Sequence, residues 1–144
     1  MAGNLHDIGK LLVPEDILHK PGQLTPAERI VVERHSEIGY RMLDALSIDP
    51  IALWVLHLHE RWAGDGYPNG LAGEDIPIAS RILFVADSYD TMTTDRVYRA
   101  KVSRSEALDE LDRCAGAQFD PAVVAATRAE LEHAPLELVL PASA

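Results

Sequence analysis

The sequence predicts an all-α fold, a bundle of about five or six helices with its functional loops gathered at one end. Three observations predict it. Apolar residues recur three and four positions apart, helix-start signals return at Thr25, Asp49, Ser103 and Asp120, and no segment sustains the two-residue alternation of a half-buried strand. With 144 residues, 47% of them hydrophobic, the chain is sized for one domain with its own core. That domain is expected over residues 1–134, leaving a C-terminal tail at 135–144 without an assignment.

The elements follow in order. Thr25-Pro26-Ala27-Glu28 supplies an N-cap, a proline at the first helical position and a glutamate at the third, which together make a capping box. From there Val31, His35, Ile38, Met42 and Leu46 recur at helical spacing, so His35 is expected on a buried stripe. Asp49-Pro50 repeats the cap-and-proline signal ahead of a helix from Ile51 to Arg61, and the Gly/Pro-rich stretch from Gly64 to Gly73 ends it in a long loop. The run Ile78 to Ala86 is almost wholly apolar and reads as a buried helix leading into Asp87 and Asp90. Ser103 with Glu106 forms a second capping box for a helix closing near Gly116, and Asp120-Pro121 caps a last helix to about Leu131.

Composition excludes several function classes. The formal net charge is −10, so the surface as a whole repels polyanions and offers no footprint for polymeric nucleic acid. The single cysteine, Cys114, rules out an internal disulfide and fits a packing role in a reducing compartment. No apolar run reaches the roughly 20 residues that span a bilayer, and the N-terminus has no signal-type segment. The chain therefore reads as cytoplasmic, with no membrane partner.

The chemistry-bearing residues are His6-Asp7, His35, His57, His59 and Asp87. Adjacent residues on a helix project about 100° apart, so His6 and Asp7 can reach one ion only near the end of an element, which Gly9 is expected to mark. Imidazole with carboxylate is a borderline donor set for iron, manganese, zinc or nickel. A His-Asp pair alone is more often a surface turn pair. Buried ionisable groups need partners, and a shared metal would partner all of these at once. Residues two apart on a helix point to nearly opposite sides, so only one of His57 and His59 can face the site.

The string His6-Asp7-Ile8-Gly9-Lys10 resembles the signature of the HD phosphohydrolase superfamily, and His59-Glu60-Arg61-Trp62 with Gly66-Tyr67-Pro68 resembles its HD-GYP branch. Lys20-Pro21-Gly22, His35 with Glu37-Ile38-Gly39, Ala86-Asp87-Ser88-Tyr89-Asp90, Asp95-Arg96-Val97-Tyr98-Arg99 and Gln118-Phe119-Asp120-Pro121 are similar to that branch too, in the same order. The resemblance implies an HD-domain helical bundle that hydrolyses cyclic di-GMP to the linear dinucleotide or GMP. It implies two divalent transition metals, iron or manganese first and zinc or nickel as alternatives, held by His6, Asp7, His35, His59 and Asp87. Asp7 would bridge the metals, Lys10 would join Asp7 in catalysis and hold the scissile phosphate, and Arg96 and Arg99 would bind substrate phosphates. As surface residues, those two arginines would instead pair with Asp95 or Glu106. The aromatic face of Tyr67 could stack on guanine or belong to a purely structural loop, and the Gly-Tyr-Pro loop could dock a signalling partner. Trp62 reads as a packing anchor for that loop.

Two departures from the family pattern stand out. Family members carry a further metal-binding histidine on a helix upstream of His6-Asp7, so the chain is expected to lack the first helices of its domain. Leu58 stands where the family has another histidine, and Ala63 stands where an aspartate is common. A module that binds the nucleotide or a partner without turnover is therefore an alternative to the enzyme, and an HD hydrolase of other nucleotides is a third reading.

Overall fold

The computed structural model describes residues 2–95 and 100–133. Arg96, Arg99 and the tail lie outside the described residues. Eight α-helices follow one another: α1 (Ala2–Leu5), α2 (Glu15–Leu18), α3 (Pro26–Glu33), α4 (His35–Ala45), α5 (Ile51–Leu56), α6 (Ile78–Thr93), α7 (Arg104–Cys114) and α8 (Pro121–His133). Short 3-10 turns occupy Ile8–Leu12 and Gly73–Asp75. Six of these helices exceed one turn, and no strand occurs among the described residues, as the all-α reading requires.

Both capping boxes form as their sequences dictate. Thr25 accepts from the Glu28 amide and Ser103 from the Glu106 amide, with each glutamate reaching back to the cap residue's own N–H. Asp120 caps α8 through an N–H donated by Ala122 at 2.8 Å. The other Asp120 oxygen takes Arg81 of α6 at 2.6 Å, so one carboxylate both starts α8 and ties it to α6.

The core has two parts. Val85, Leu108, Leu111, Phe119, Val123 and Val124 pack α6, α7 and α8 together, while Leu43, Ala52 and Val55 join α4 to α5 with Leu5 and Ile8 against them. Ser80, fully buried in α6, donates to the Trp54 carbonyl at 3.0 Å and links the two halves.

The structure corrects four local expectations. The helix begun at Pro26 breaks at Arg34 into α3 and α4, and the buried face of α4 is His35, Ser36, Gly39 and Leu43, not the stripe through Met42 and Leu46; Leu46 is 67% exposed. The next helix stops at Leu56, well before Arg61, and Asp49 makes no side-chain cap for it. The run at Ile78 is helical but not wholly buried, since Ile78 and Ile82 are about half exposed and line an open apolar groove of about 1020 Å³ against α8. Gly9 does not mark an end. It lies inside a 3-10 turn pressed on α4, where an added Cβ would stand 2.7 Å from the Gly39 amide nitrogen, 2.8 Å from the His35 carbonyl carbon and closer still to that carbonyl's oxygen.

Candidate metal centre and active site

His6 and Asp7 occupy the turn between α1 and the 3-10 turn that follows, the element end their adjacency calls for. His6 Nδ1 lies 2.6 Å from the Gly3 carbonyl, which makes that nitrogen the donor and turns Nε2 to the other side. Nε2 in turn lies 3.4 Å from an Asp7 oxygen and 3.5 Å from an Asp87 oxygen. On α4, His35 is arranged likewise. Its Nδ1 donates to Val32 O at 2.6 Å, and its Nε2 faces His59 Nε2 at 3.1 Å.

Only one of the two histidines near α5 joins the site, as expected, but not because of opposite helical faces. Both follow the end of α5, and the turn carries His59 inward while His57 approaches Glu60 at 3.6 Å. The stop has a visible cause. Glu60 is 2% exposed, and its two carboxylate oxygens accept the N–H groups of Asn69 at 2.7 Å and Leu71 at 3.0 Å. Gly66 packs so closely on this strap that a Cβ would sit 2.6 Å from the His59 carbonyl oxygen. Tyr67 then lies stacked on His59, ring centroids 5.1 Å apart, with His35 at 6.4 Å. Trp62 anchors the loop: its carbonyl accepts from Gly73, its N–H donates to Gln118 O, and Arg81 sits 5.7 Å above its ring.

The groups feel one another electrostatically. Burial pushes the Asp7 carboxyl up, but the hydrogen bond and charge of Lys10, with His6 and His35 behind it, outweigh that and leave it below its ordinary value. Lys10 Nζ stands 2.7 Å from Asp7 Oδ1. Burial, then the charges of His35 and Lys10, drive His59 down to about 3. His35 is lowered as well, chiefly by burial. Both imidazoles are therefore neutral, the form that ligates metals. Burial and the charges of Glu33 and Asp7 push Tyr67 up to about 12.

The donor set suits a divalent ion. Two Nε2 atoms 3.1 Å apart match two ligands on one ion with bonds of about 2.1 Å, and Nδ1–H groups anchored on carbonyls are the usual outer support of metal-bound histidines. Among the described residues, however, no three His, Cys, Asp or Glu side chains converge closely enough to hold an ion as they stand. The five expected ligands divide into His6, Asp7 and Asp87 on one side and His35 with His59 on the other. Leu58, 1% exposed, lines a cavity of about 340 Å³ with His6 and Asp87, so the substituted position belongs to the first group. Asp90 lines the same cavity. Sequence reasoning gave no role to Glu60; the signal was a carboxylate directly ahead of a glycine-rich loop with many unpaired N–H groups.

The helical bundle and this end-on cluster define a member of a known family: residues 1–123 match the HD domain family, and the chain belongs to it, in the branch marked by the Gly-Tyr-Pro loop. It is 44% identical over 139 residues to the cyclic di-GMP phosphodiesterase response regulator RpfG of Xanthomonas campestris, covering 92% of this chain and 37% of that protein. It is also 44% identical over 129 residues to a cyclic di-GMP phosphodiesterase of Thermotoga maritima, covering 87% and 35%. A crystal structure of a cyclic GMP-AMP-specific phosphodiesterase of Vibrio cholerae shares its fold, with a TM-score of 0.63, 23% identity and coverage of 90% of this chain and 36% of that one. The chain thus spans about a third of the length of these relatives. No helix among the described residues is long and apolar enough to cross a membrane.

Proposed function

We propose that this chain is a metal-dependent phosphodiesterase that opens cyclic di-GMP. The observation that carries the reading is the gathering of His6, Asp7 and Asp87 beside the neutral His35–His59 pair, with the Lys10 ammonium at the edge. Phosphodiesterases with HD domains generally depend on divalent metals. Relatives named as cyclic di-GMP phosphodiesterases at 44% identity supply the substrate and give no support to a module without turnover.

His6, Asp7, His35, His59 and Asp87 would hold two divalent ions, with Asp7 between them. When bound, such ions supply a Lewis acid for the phosphodiester and a water of lowered pKa. The protein's own contribution is orientation and charge. The Gly3 and Val32 carbonyls fix the two Nδ1–H groups, so both Nε2 atoms stay directed inward. The low basicity of His35 and His59 keeps them from competing with metal by taking protons. Lys10 receives a phosphodiester oxygen, which an acidic chain needs from a local cation. Arg96 and Arg99 are assigned to the second phosphate on the family resemblance, where guanidinium forks suit phosphate oxygens.

The test is turnover of cyclic di-GMP by the chain loaded with Fe(II) or Mn(II), followed by product chromatography, with metal content measured on the same sample. Linearised dinucleotide or GMP is expected, and Asp7→Asn is expected to lower both metal content and turnover by at least tenfold. A metal-loaded chain that leaves cyclic di-GMP intact overturns the proposal.

A further inference from the structure

A second cavity, of about 450 Å³, opens beside Tyr67. Gln23, Leu24, Arg29, Val32, Glu33 and Tyr67 line it. Its volume falls in the range of roughly 300–1,000 Å³ typical of small-ligand sites. Gln23 and Leu24 come from the loop ahead of α3, Arg29, Val32 and Glu33 from the helix itself, and Tyr67 from the Gly-Tyr-Pro loop. Arg29 and Glu33 are four residues apart, so they project from the same face of α3.

Two features set this cavity apart from an ordinary surface dimple. First, Arg29 and Glu33 have the spacing of a helical ion pair, yet their side chains make no hydrogen bond or ion pair among the described residues, whereas neighbouring Glu28 is taken by Lys20 at 2.7 Å. A cation and a carboxylate thus face the same space with their hydrogen-bonding capacity unspent. Second, the cavity adjoins the metal-ligand cluster through a single ring. Tyr67 lines it and also stacks on His59.

We propose that this cavity is a guanine subsite in which Glu33 and Arg29 read the base edge. Guanine offers adjacent N1–H and N2–H donors, which match one carboxylate, and the O6 and N7 acceptors, which match one guanidinium. Leu24, Val32 and the Tyr67 ring supply an apolar surround for the base plane. Adenine fails on chemistry: its N1 is an acceptor facing the Glu33 carboxylate, and its N6 amino group is a donor facing Arg29. A site whose polar groups are left unpaired rejects the wrong ligand strongly. The inference rests on the phosphodiesterase reading for its substrate class, and adds that Glu33 and Arg29 are the residues that read the guanine. The subsite then accepts cyclic di-GMP or the guanine half of a mixed guanine–adenine dinucleotide, and excludes cyclic di-AMP.

The test is calorimetric titration of the 144-residue chain with GMP and with AMP, on the wild type, Glu33→Gln and Arg29→Ala. GMP is expected to bind at least tenfold more tightly than AMP, and each variant is expected to lose tenfold to a hundredfold in GMP affinity with AMP unchanged. Both residues are on the surface of α3, and two variants are used so that a folding defect in one leaves the other decisive. Equal affinity for GMP and AMP, or a preference that survives both substitutions, overturns the subsite. Turnover measured in parallel separates the two claims. Hydrolysis of cyclic di-GMP without guanine selectivity sinks the subsite alone, and Glu33-dependent GMP binding without hydrolysis sinks the phosphodiesterase reading alone.

Discussion

Gly9→Ala is the most informative single substitution, because Gly9 is where the turn carrying His6-Asp7 bears on the helix carrying His35. The added Cβ would lie 2.8 Å from the His35 carbonyl carbon and 2.7 Å from the Gly39 nitrogen, against an ordinary carbon–carbon separation of about 3.5–4.0 Å. Both obstacles are backbone, so no side-chain rotation relieves them, and α4 must retreat by roughly 1 Å. Overpacking of this kind costs about 1–3 kcal/mol, and the upper end applies where backbone must move. The retreat also carries His35 Nε2 away from His59 and from the His6-Asp7 turn. A tenfold loss of metal affinity then removes about 1.4 kcal/mol of metal-linked stability at saturating ion. Urea unfolding of wild type and variant, with chelator and with excess Mn(II), separates the two terms. The expected deficit is about 3 kcal/mol without metal and about 1.4 kcal/mol more with it. Gly39→Ala is the control: its Cβ would meet the Val55 Cγ1 at 3.3 Å, a side-chain tip that can yield, and alanine's helix preference of about 1 kcal/mol offsets the crowding. A Gly9→Ala loss below about 1 kcal/mol, within the range of the control, would refute the claim that α4 is pressed on this turn.

Two further outcomes follow from named contacts. Glu60→Gln leaves one of the Asn69 and Leu71 N–H groups facing an amide nitrogen, so unfolding stability is expected to drop by about 2–3 kcal/mol and proteolysis within residues 64–71 to rise; an unchanged urea midpoint would show that Glu60 does not hold the loop. Glu28 is held down at about 2, from an ordinary 4.5, chiefly by the Lys20 hydrogen bond and then by the Thr25 backbone N–H. Because the folded value is the lower one, its stabilisation is present above pH 4.5 and is lost as pH falls towards 2. Acid titration of stability in wild type and Glu28→Gln should therefore diverge above that window and converge below it, and parallel curves would count against the assignment.

What was legible in the sequence was local. The boxes at Thr25–Glu28 and Ser103–Glu106 are closed by atoms three residues apart, and both form as the residue types demand. The expectations that failed depended on partners distant in sequence. The end of α5 is set by what Glu60 does with Asn69 and Leu71, which helical periodicity cannot reveal. The apolar run after Pro77 reads as buried, yet whether Ile78 and Ile82 are covered depends on how α8 lies against α6. The residue types of the expected donors, His6, Asp7, His35, His59 and Asp87, were legible. Their division into two groups was not, because it is set by how α5 packs on α4, α1 and α6, elements far apart in sequence. Arg96 and Arg99 lie outside the described residues and stay with the proposal.

The support of the site explains how donors spread over about 80 residues can be held together without a sheet. His6-Asp7 is fixed through the Gly9 contact on α4, His35 by its own carbonyl anchor, and His59 by a loop whose N–H groups end on Glu60. The proposed ligands His6, Asp7, His35 and His59 are thus placed by backbone, and backbone contacts shift less readily than side-chain rotamers. Leu58 is the exception in this design, for it puts an apolar group in the cavity shared by His6 and Asp87. It adds packing there and donates nothing to an ion. The weaker half of the donor set is therefore the His6, Asp7 and Asp87 group, and Lys10 holds the Asp7 carboxylate there at 2.7 Å. On the proposed ligand set an incoming ion would have to compete with that ammonium for Asp7, whereas the His35–His59 pair would meet it neutral.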